Sequence, residues 1–169
     1  MSKVKTNIIA AGILVSTLIL DIWTKHLIVE NLNYYDRLDY LGGFLRITLV
    51  YNKGGVFGIA QGYKNVFLII SLVVLAFMIA YYIYEKNKTT LFSICMALIV
   101  SGAIGNIIDR LIPGRPGVVD FISLGVDGVY RWPAFNVADS CIVAGAILLF
   151  FVFYQEEKRR REEESKKEE

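Results

Sequence analysis

Three aspartates, Asp109, Asp120 and Asp139, lie at or near the ends of long apolar stretches in this chain. Two carboxylates a few ångströms apart do not both ionise easily, so such a pair holds one proton between them. One member can then act as base on a water while the other donates to a carbonyl oxygen, which is the toolkit of a peptidase. Spacing alone does not say which two of the three form the pair, and a proton relay would use the same residues.

Their neighbours narrow the chemistry. Asp21 and Lys25 are four apart, hence on one helical face, and read as an ion pair closing the top of a first helix. Asn106, Asp109 and Arg110 share a face at the end of a third apolar run and read as a polar network or as part of a site. Asn136 and Asp139 repeat the spacing of Asn106 and Asp109; Asn136 suits a helix N-cap, with Asp139 in the first turn where exposed amides favour a carboxylate. Other hydrolytic arrangements are poorly supplied, since there is no HExxH, no GxSxG and no serine at a defined spacing from Lys25. The lone His26 reads as an interfacial residue, and one histidine leaves no Cys and His zinc site. Cys95 and Cys141 both lie in apolar runs and read as small buried hydrophobes. The net charge of +2 is too small to argue for nucleic acid.

The elements that must position these residues are membrane spans. Apolar residues make up 55% of the 169, they are gathered in blocks, and only three prolines interrupt them. The blocks predict a single polytopic domain with spans over roughly 8–28, 66–84, 91–110 and 135–154, followed by a charged cytoplasmic tail, 155–169, as a solvated extension of the last helix. The first span reaches the required length only by including Asp21 and Lys25, and the fourth only by including Asn136 and Asp139. Both therefore carry polar groups to the edge of the hydrocarbon. Lys3 and Lys5 precede the first run, but Asp21-Ile22-Trp23 offers no small-residue cleavage site, so that run is expected to stay as an anchor. Lys86 and Lys88 between the middle spans, and residues 158–161 after the last, place both termini in the cytoplasm by the positive-inside rule. Residues 30–65 and 109–134 then face outward. Within the first of these, Leu45, Ile47, Leu49 and Tyr51 alternate with Phe44, Arg46, Thr48 and Val50 up to a turn at Asn52-Lys53-Gly54-Gly55, which predicts a small amphipathic sheet on the membrane surface. Gly102 and Gly105 allow close helix packing within the chain, and a monomer is expected.

Five segments together resemble the lipoprotein signal peptidase (signal peptidase II) family over almost the whole length. They are Asp21-Ile22-Trp23-Thr24-Lys25, the stretch from Asn52 through Gly54, Phe57 and Gly58, the stretch from Gly102 through Gly105, Asn106, Asp109 and Arg110, Val118-Val119-Asp120-Phe121, and the run from Pro133 through Asn136, Ala138 and Asp139 to Ser140. The resemblance implies an all-α membrane protein of four transmembrane helices with a small extracytoplasmic β-sheet cradle. It implies Asp120 and Asp139 as the catalytic dyad, Asn52 and Gly54 in a loop beside the site, and Asn106, Arg110, Asn136 and Ala138 in its lining. Asp21 and Lys25 become supports, with Asp109 among the site-supporting residues. The implied activity is cleavage of the signal peptide from diacylglyceryl-modified prolipoproteins just before the lipidated cysteine, in the bacterial cytoplasmic (inner) membrane, with the site near its outer face and with neither metal nor cofactor. Expected partners are those precursors and membrane lipids, and no nucleic acid. Ile22 stands where the family often has Gln, Gly55-Val56 where two alanines are common, and the 111–117 connection is longer than usual. Two other readings use the same residues: a small proton-coupled transporter, which predicts polar residues through the full depth of the bundle, and a noncatalytic lipoprotein-binding membrane protein. The middles of the spans, 72–80 and 142–149, lack charges.

Overall fold

Lipid offers no hydrogen bonds, so an apolar run that crosses it must satisfy its own amides, and the apolar blocks of this chain do so as helices. The computed structural model describes residues 2–55 and 60–168, which leaves Val56, Phe57 and Gly58 of the second family segment outside the described residues. Four long helices are present: α1 (Lys3–Asn31), α2 (Lys64–Tyr84), α3 (Thr90–Leu111) and α4 (Val137–Glu168). All four have the length and apolar composition to cross a membrane. Ser2 caps α1, accepting the Lys5 amide at 3.4 Å, and so starts the helix upstream of its apolar residues. Beyond its apolar part α4 continues as a charged helix, with Arg161 and Arg160 paired to Glu157 at 2.9 Å.

The central element is α3. Eleven of its residues are buried, whereas α2 has none among the described residues and turns large apolar side chains such as Val73 and Phe77 outward. Contact between α3 and α4 depends on small residues, because between helices in lipid the gain comes from close packing. A Cβ on Gly102 would collide with the Ala138 carbonyl oxygen, and one on Gly145 would lie 2.7 Å from Ile99 Cγ1. Thr17 on α1 donates its hydroxyl to Ser101 on α3 at 2.8 Å, adding a polar tie at depth. Both cysteines are free and buried.

Four antiparallel strands form one sheet in the order β1 (Arg37–Tyr40), β2 (Leu45–Asn52), β3 (Val118–Val126) and β4 (Tyr130–Arg131). Leu49, Val119 and Phe121 pack it onto Ile28, Val29 and Leu32 at the end of α1 and onto Val137 at the start of α4. The alternation expected across 44–51 is broken once. Ile47 pairs with Ile122 but Val50 with Asp120, so β2 carries one extra residue, and the adjacent Thr48 and Leu49 are both buried. Bulges of this kind bend a strand and re-aim its side chains; this one sits directly beside Asp120. At the far edge, Arg46 joins Asp39 of β1 at 2.6 Å to Asp127 of the β3–β4 turn at 2.7 Å, and Arg131 adds a 2.8 Å contact to Asp127. Those hydrogen bonds from Arg46 and Arg131 hold the Asp127 carboxyl down at about 2.

Candidate active site

The site is built where β3 meets the first turn of α4. Phe135 bridges Ile122 through backbone hydrogen bonds of 2.8 and 2.9 Å, which keeps the chain extended until Asn136 and delays the helix to Val137. That bridge presses Asn136, fully buried, against β3. Its side-chain oxygen accepts the Asp139 amide at 2.8 Å, while Asp139 Oδ2 accepts the Asn136 amide at 3.3 Å. Cap and third helical residue thus satisfy each other's amides, a reciprocal capping box with acid in place of the usual Glu or Gln.

The Asn136 amide nitrogen then has a second task. It donates to Asp120 Oδ1 at 2.8 Å and also lies 3.2 Å from the Val119 carbonyl and from Asn106 Oδ1. Asn106 in turn donates to Asp139 Oδ1 at 2.8 Å. Asp120 and Asp139, from different elements, are therefore joined through Asn136 and oriented by amide donors. Asp120 is 2% exposed, and Asp139 is half-buried. Asn52, at the end of β2, lies against the Asp120 carboxyl, receives the Gly54 amide at 3.0 Å and donates to the Gly55 carbonyl at 3.1 Å.

Beneath this pair lies an ion cluster of different character. Lys25 Nζ meets Asp21 Oδ2 at 2.8 Å, Asp109 Oδ2 at 2.9 Å and Asn106 Oδ1 at 3.1 Å, so three oxygens surround the ammonium although the side chain is 3% exposed. Asp21 Oδ1 takes the Ala138 amide at 2.9 Å, one of the unpaired first-turn donors of α4. Gly105 lets this happen, because any Cβ there would run into the Asp21 carboxylate. Asp109 is further engaged by Arg115 and by the Val119 amide at 3.1 Å.

The three aspartates are thus sorted by their partners. Asp109 is a saturated anion with two cations. Asp120 and Asp139 make no ion pair among the described residues; the Arg110 guanidinium lies near both but gives its hydrogen bonds to the Asn106 and Gly54 carbonyls, each at 3.1 Å. Burial, and next the nearby Asp139 charge, push the Asp120 carboxyl up to about 8 against the opposing pull of Asn52, Lys25 and Asn136. Burial and mutual repulsion thus favour a proton on the pair, so an acid and a second carboxyl can stand together at the rim of the bundle.

A family model described as Signal peptidase (SPase) II matches residues 13–155. The chain belongs to the signal peptidase II family. Among its relatives, the lipoprotein signal peptidase of Borrelia duttonii is 39% identical over 157 residues, covering 87% of this chain and 88% of that protein. The one from Bacillus pumilus is 43% identical over 129 residues, 76% of this chain and 81% of that one. A solved bacterial membrane enzyme structure superposes with a TM-score of 0.79 at 31% identity, covering 89% of this chain and 90% of its own. The four membrane-crossing helices and the small sheet are accordingly those of a bacterial membrane enzyme, a protease of the signal peptidase II family.

Within the signal peptidase II frame, Asp21, Lys25, Asn106, Asp109, Asp120, Asn136, Ala138 and Asp139 form one continuous network, and Arg110, Asn52 and Gly54 join it from the side. Outside it, His26 is exposed and pairs with Glu30 at 3.1 Å. Three participants escaped sequence reasoning. Arg115 lies in the outward-facing stretch 109–134 and clamps Asp109, but the connection that carries it has no periodicity to announce the contact. Lys64 donates to the Arg115 carbonyl at 2.6 Å. Gln61 accepts the Lys53 amide at 3.0 Å and donates to Asn52 at 3.1 Å, which ties down the turn beside Asp120.

Proposed function

We propose that this chain removes the signal peptide from diacylglyceryl-modified prolipoproteins, cutting just before the lipidated cysteine, with Asp120 and Asp139 as the catalytic dyad. The observation that carries the reading is the pairing, through one buried asparagine, of two carboxyls that make no ion pair among the described residues. Family membership supports the reaction, and with it the transporter and the noncatalytic readings lose their ground.

In the proposed mechanism a water sits between the two carboxyls. The ionised member removes its proton as the oxygen attacks the scissile carbonyl carbon, and the protonated member donates to the carbonyl oxygen. The tetrahedral intermediate collapses when a proton passes to the departing amide nitrogen, leaving a free amine on the lipidated cysteine and a carboxyl on the signal peptide. Asn136 and Asn106 hold the carboxyl orientations through this cycle, and Arg110 secures the Gly54 turn at the edge of the site. Peptide reaches the dyad over the sheet, while the diacylglyceryl chains stay in lipid beside the helices. The exposed rings of Tyr34, Tyr35, Tyr40, Phe44, Tyr130 and Trp132 support a sheet resting at the headgroup level. The basic residues at the opposite end support cytoplasmic termini in the inner membrane and a site at its outer face. The chain acts as a monomer in this reading.

Gel-monitored cleavage by the purified protein tests the reaction. A diacylglyceryl-modified precursor is expected to be cut with EDTA present throughout, and the same precursor lacking the lipid is expected to stay whole. Cleavage of both alike would remove the lipid from the specificity. The pH profile is a second test. Activity needs one proton on the pair, so it should fall as pH rises through about 8, where Asp120 deprotonates. A rate still climbing at pH 9 would contradict an acid role for this carboxyl.

A further inference from the structure

At the end of the bundle away from the aspartates, Lys3 of α1, Lys86 after α2 and Lys88 before α3 surround a cavity of about 330 Å³. The rest of its wall is neutral and polar: Thr6, Asn7, Tyr82 and Thr90, among others, line it, and among the described residues no carboxylate does. The groups are organised. Thr6 and Thr90 share a hydroxyl hydrogen bond at 3.1 Å, and Tyr82 donates to Asn7 at 3.4 Å, which holds α1, α2 and α3 together around the space. Lys88 lies 5.0 Å from the centre of the Tyr82 ring and donates to the Glu85 carbonyl at 2.6 Å, so its ammonium is fixed at the lip with donors to spare.

None of the three lysines makes an ion pair among the described residues. The cations of the α4 tail differ in this respect: Lys158, Arg160 and Arg161 all face glutamates of their own helix. Three like charges around one cavity repel unless an anion joins them. The cavity also lies level with the ends of three spans, and Val4, Ile8 and Ile83, each about two-thirds exposed, provide apolar surface close by. Phosphate on one side and hydrocarbon on the other is the chemistry of a phospholipid.

We propose that this cavity is a binding site for the phosphodiester headgroup of an anionic phospholipid, independent of the chemistry at the opposite rim. Lys3, Lys86 and Lys88 neutralise the phosphate, and Thr89, also in the wall, accepts the Phe92 amide and so keeps its hydroxyl hydrogen for a phosphate oxygen. Basic pockets between transmembrane helices are a known form of lipid recognition, and a lysine near the headgroup raises affinity roughly fivefold, so three give about a hundredfold.

Native mass spectrometry of the purified full chain, titrated in detergent with phosphatidylglycerol or phosphatidylcholine, reads this directly. The wild type is expected to retain one phosphatidylglycerol far more tightly than phosphatidylcholine. The Lys3→Gln/Lys86→Gln/Lys88→Gln variant, checked for unchanged helicity and monodispersity, should lose that preference. The Lys158→Gln/Arg159→Gln/Arg160→Gln variant removes the same charge from the tail and should keep it. If the two triple variants bind alike, or if both lipids bind the wild type equally, the site does not exist as described. If millimolar inorganic phosphate stabilises the wild type and displaces the lipid completely, the cavity takes a free anion and the lipid assignment fails.

Discussion

Replacing Asp120 by Asn is expected to reduce signal peptide cleavage by at least about a thousandfold while leaving the protein as stable as before or more so. The two halves of this expectation have separate origins. Activity falls because a carboxamide can neither take a proton from water nor cycle one to the substrate carbonyl. Stability is spared because the raised Asp120 carboxyl is largely protonated at neutral pH, and Asn imitates a protonated Asp in shape. Asn136 can still donate to an oxygen at the same place. The pH dependence sharpens the test. A carboxyl whose folded pKa is raised to about 8 contributes stability below its unfolded value, near 4, and that contribution is lost as pH rises toward 8. The wild type should therefore lose up to about 1.4 kcal/mol per pH unit through this group in that window, and the Asp120→Asn variant should not. Thermal unfolding in detergent at pH 5 and pH 8 measures the difference. Asp139→Asn should be equally inactive but not stabilised, since Asp139 Oδ2 also accepts the Asn136 amide that closes the helix cap. Near-normal cleavage by either variant would break the proposed dyad.

Much of the frame was legible because lipid enforces it. Helices have to appear where apolar residues are gathered in blocks, and α1 to α4 do so. Asn136 as a helix cap was legible from its type and from the acid three residues on, and the reciprocal amide bonds follow the same local rule. Beyond local rules the sequence was silent. Strict alternation along 44–51 gave no sign of the bulge at Thr48 and Leu49, since an extra residue shows only against its partner strand. The choice among three aspartates had the same limit. Asp109 is distinguished by Arg115, six residues away across an irregular connection, and by Lys25, a helix away, and neither contact has a signature in spacing. The family resemblance named Asp120 and Asp139 ahead of any such geometry, and they remain the proposed pair.

The second large effect is expected away from the dyad, at Lys25. Its ammonium is almost wholly buried and is shared by two carboxylates that are themselves 1% and 2% exposed. Lys25→Met keeps the volume but leaves Asp21 without a cation and Asp109 with Arg115 alone. Removing one partner from a buried ion cluster costs about 3 to 5 kcal/mol, because the remaining charge is stranded out of water. For a chain of this size that is a large part of the total stability, so the variant should unfold many degrees below the wild type or fail to accumulate. Lost cleavage alone would not distinguish structural support from chemistry, but a compensating change does. In Asp21→Asn/Lys25→Met the stranded charge is gone, and the amide oxygen can still accept the Ala138 N–H that anchors the first turn of α4. The double variant should recover a good part of the lost stability, a non-additivity expected only for residues in direct contact. If cleavage returns along with stability, Lys25 acts by holding α1, α3 and α4 in register under Asp139. If stability returns and cleavage does not, the ammonium acts on the dyad itself through Asn106, whose oxygen it holds at 3.1 Å.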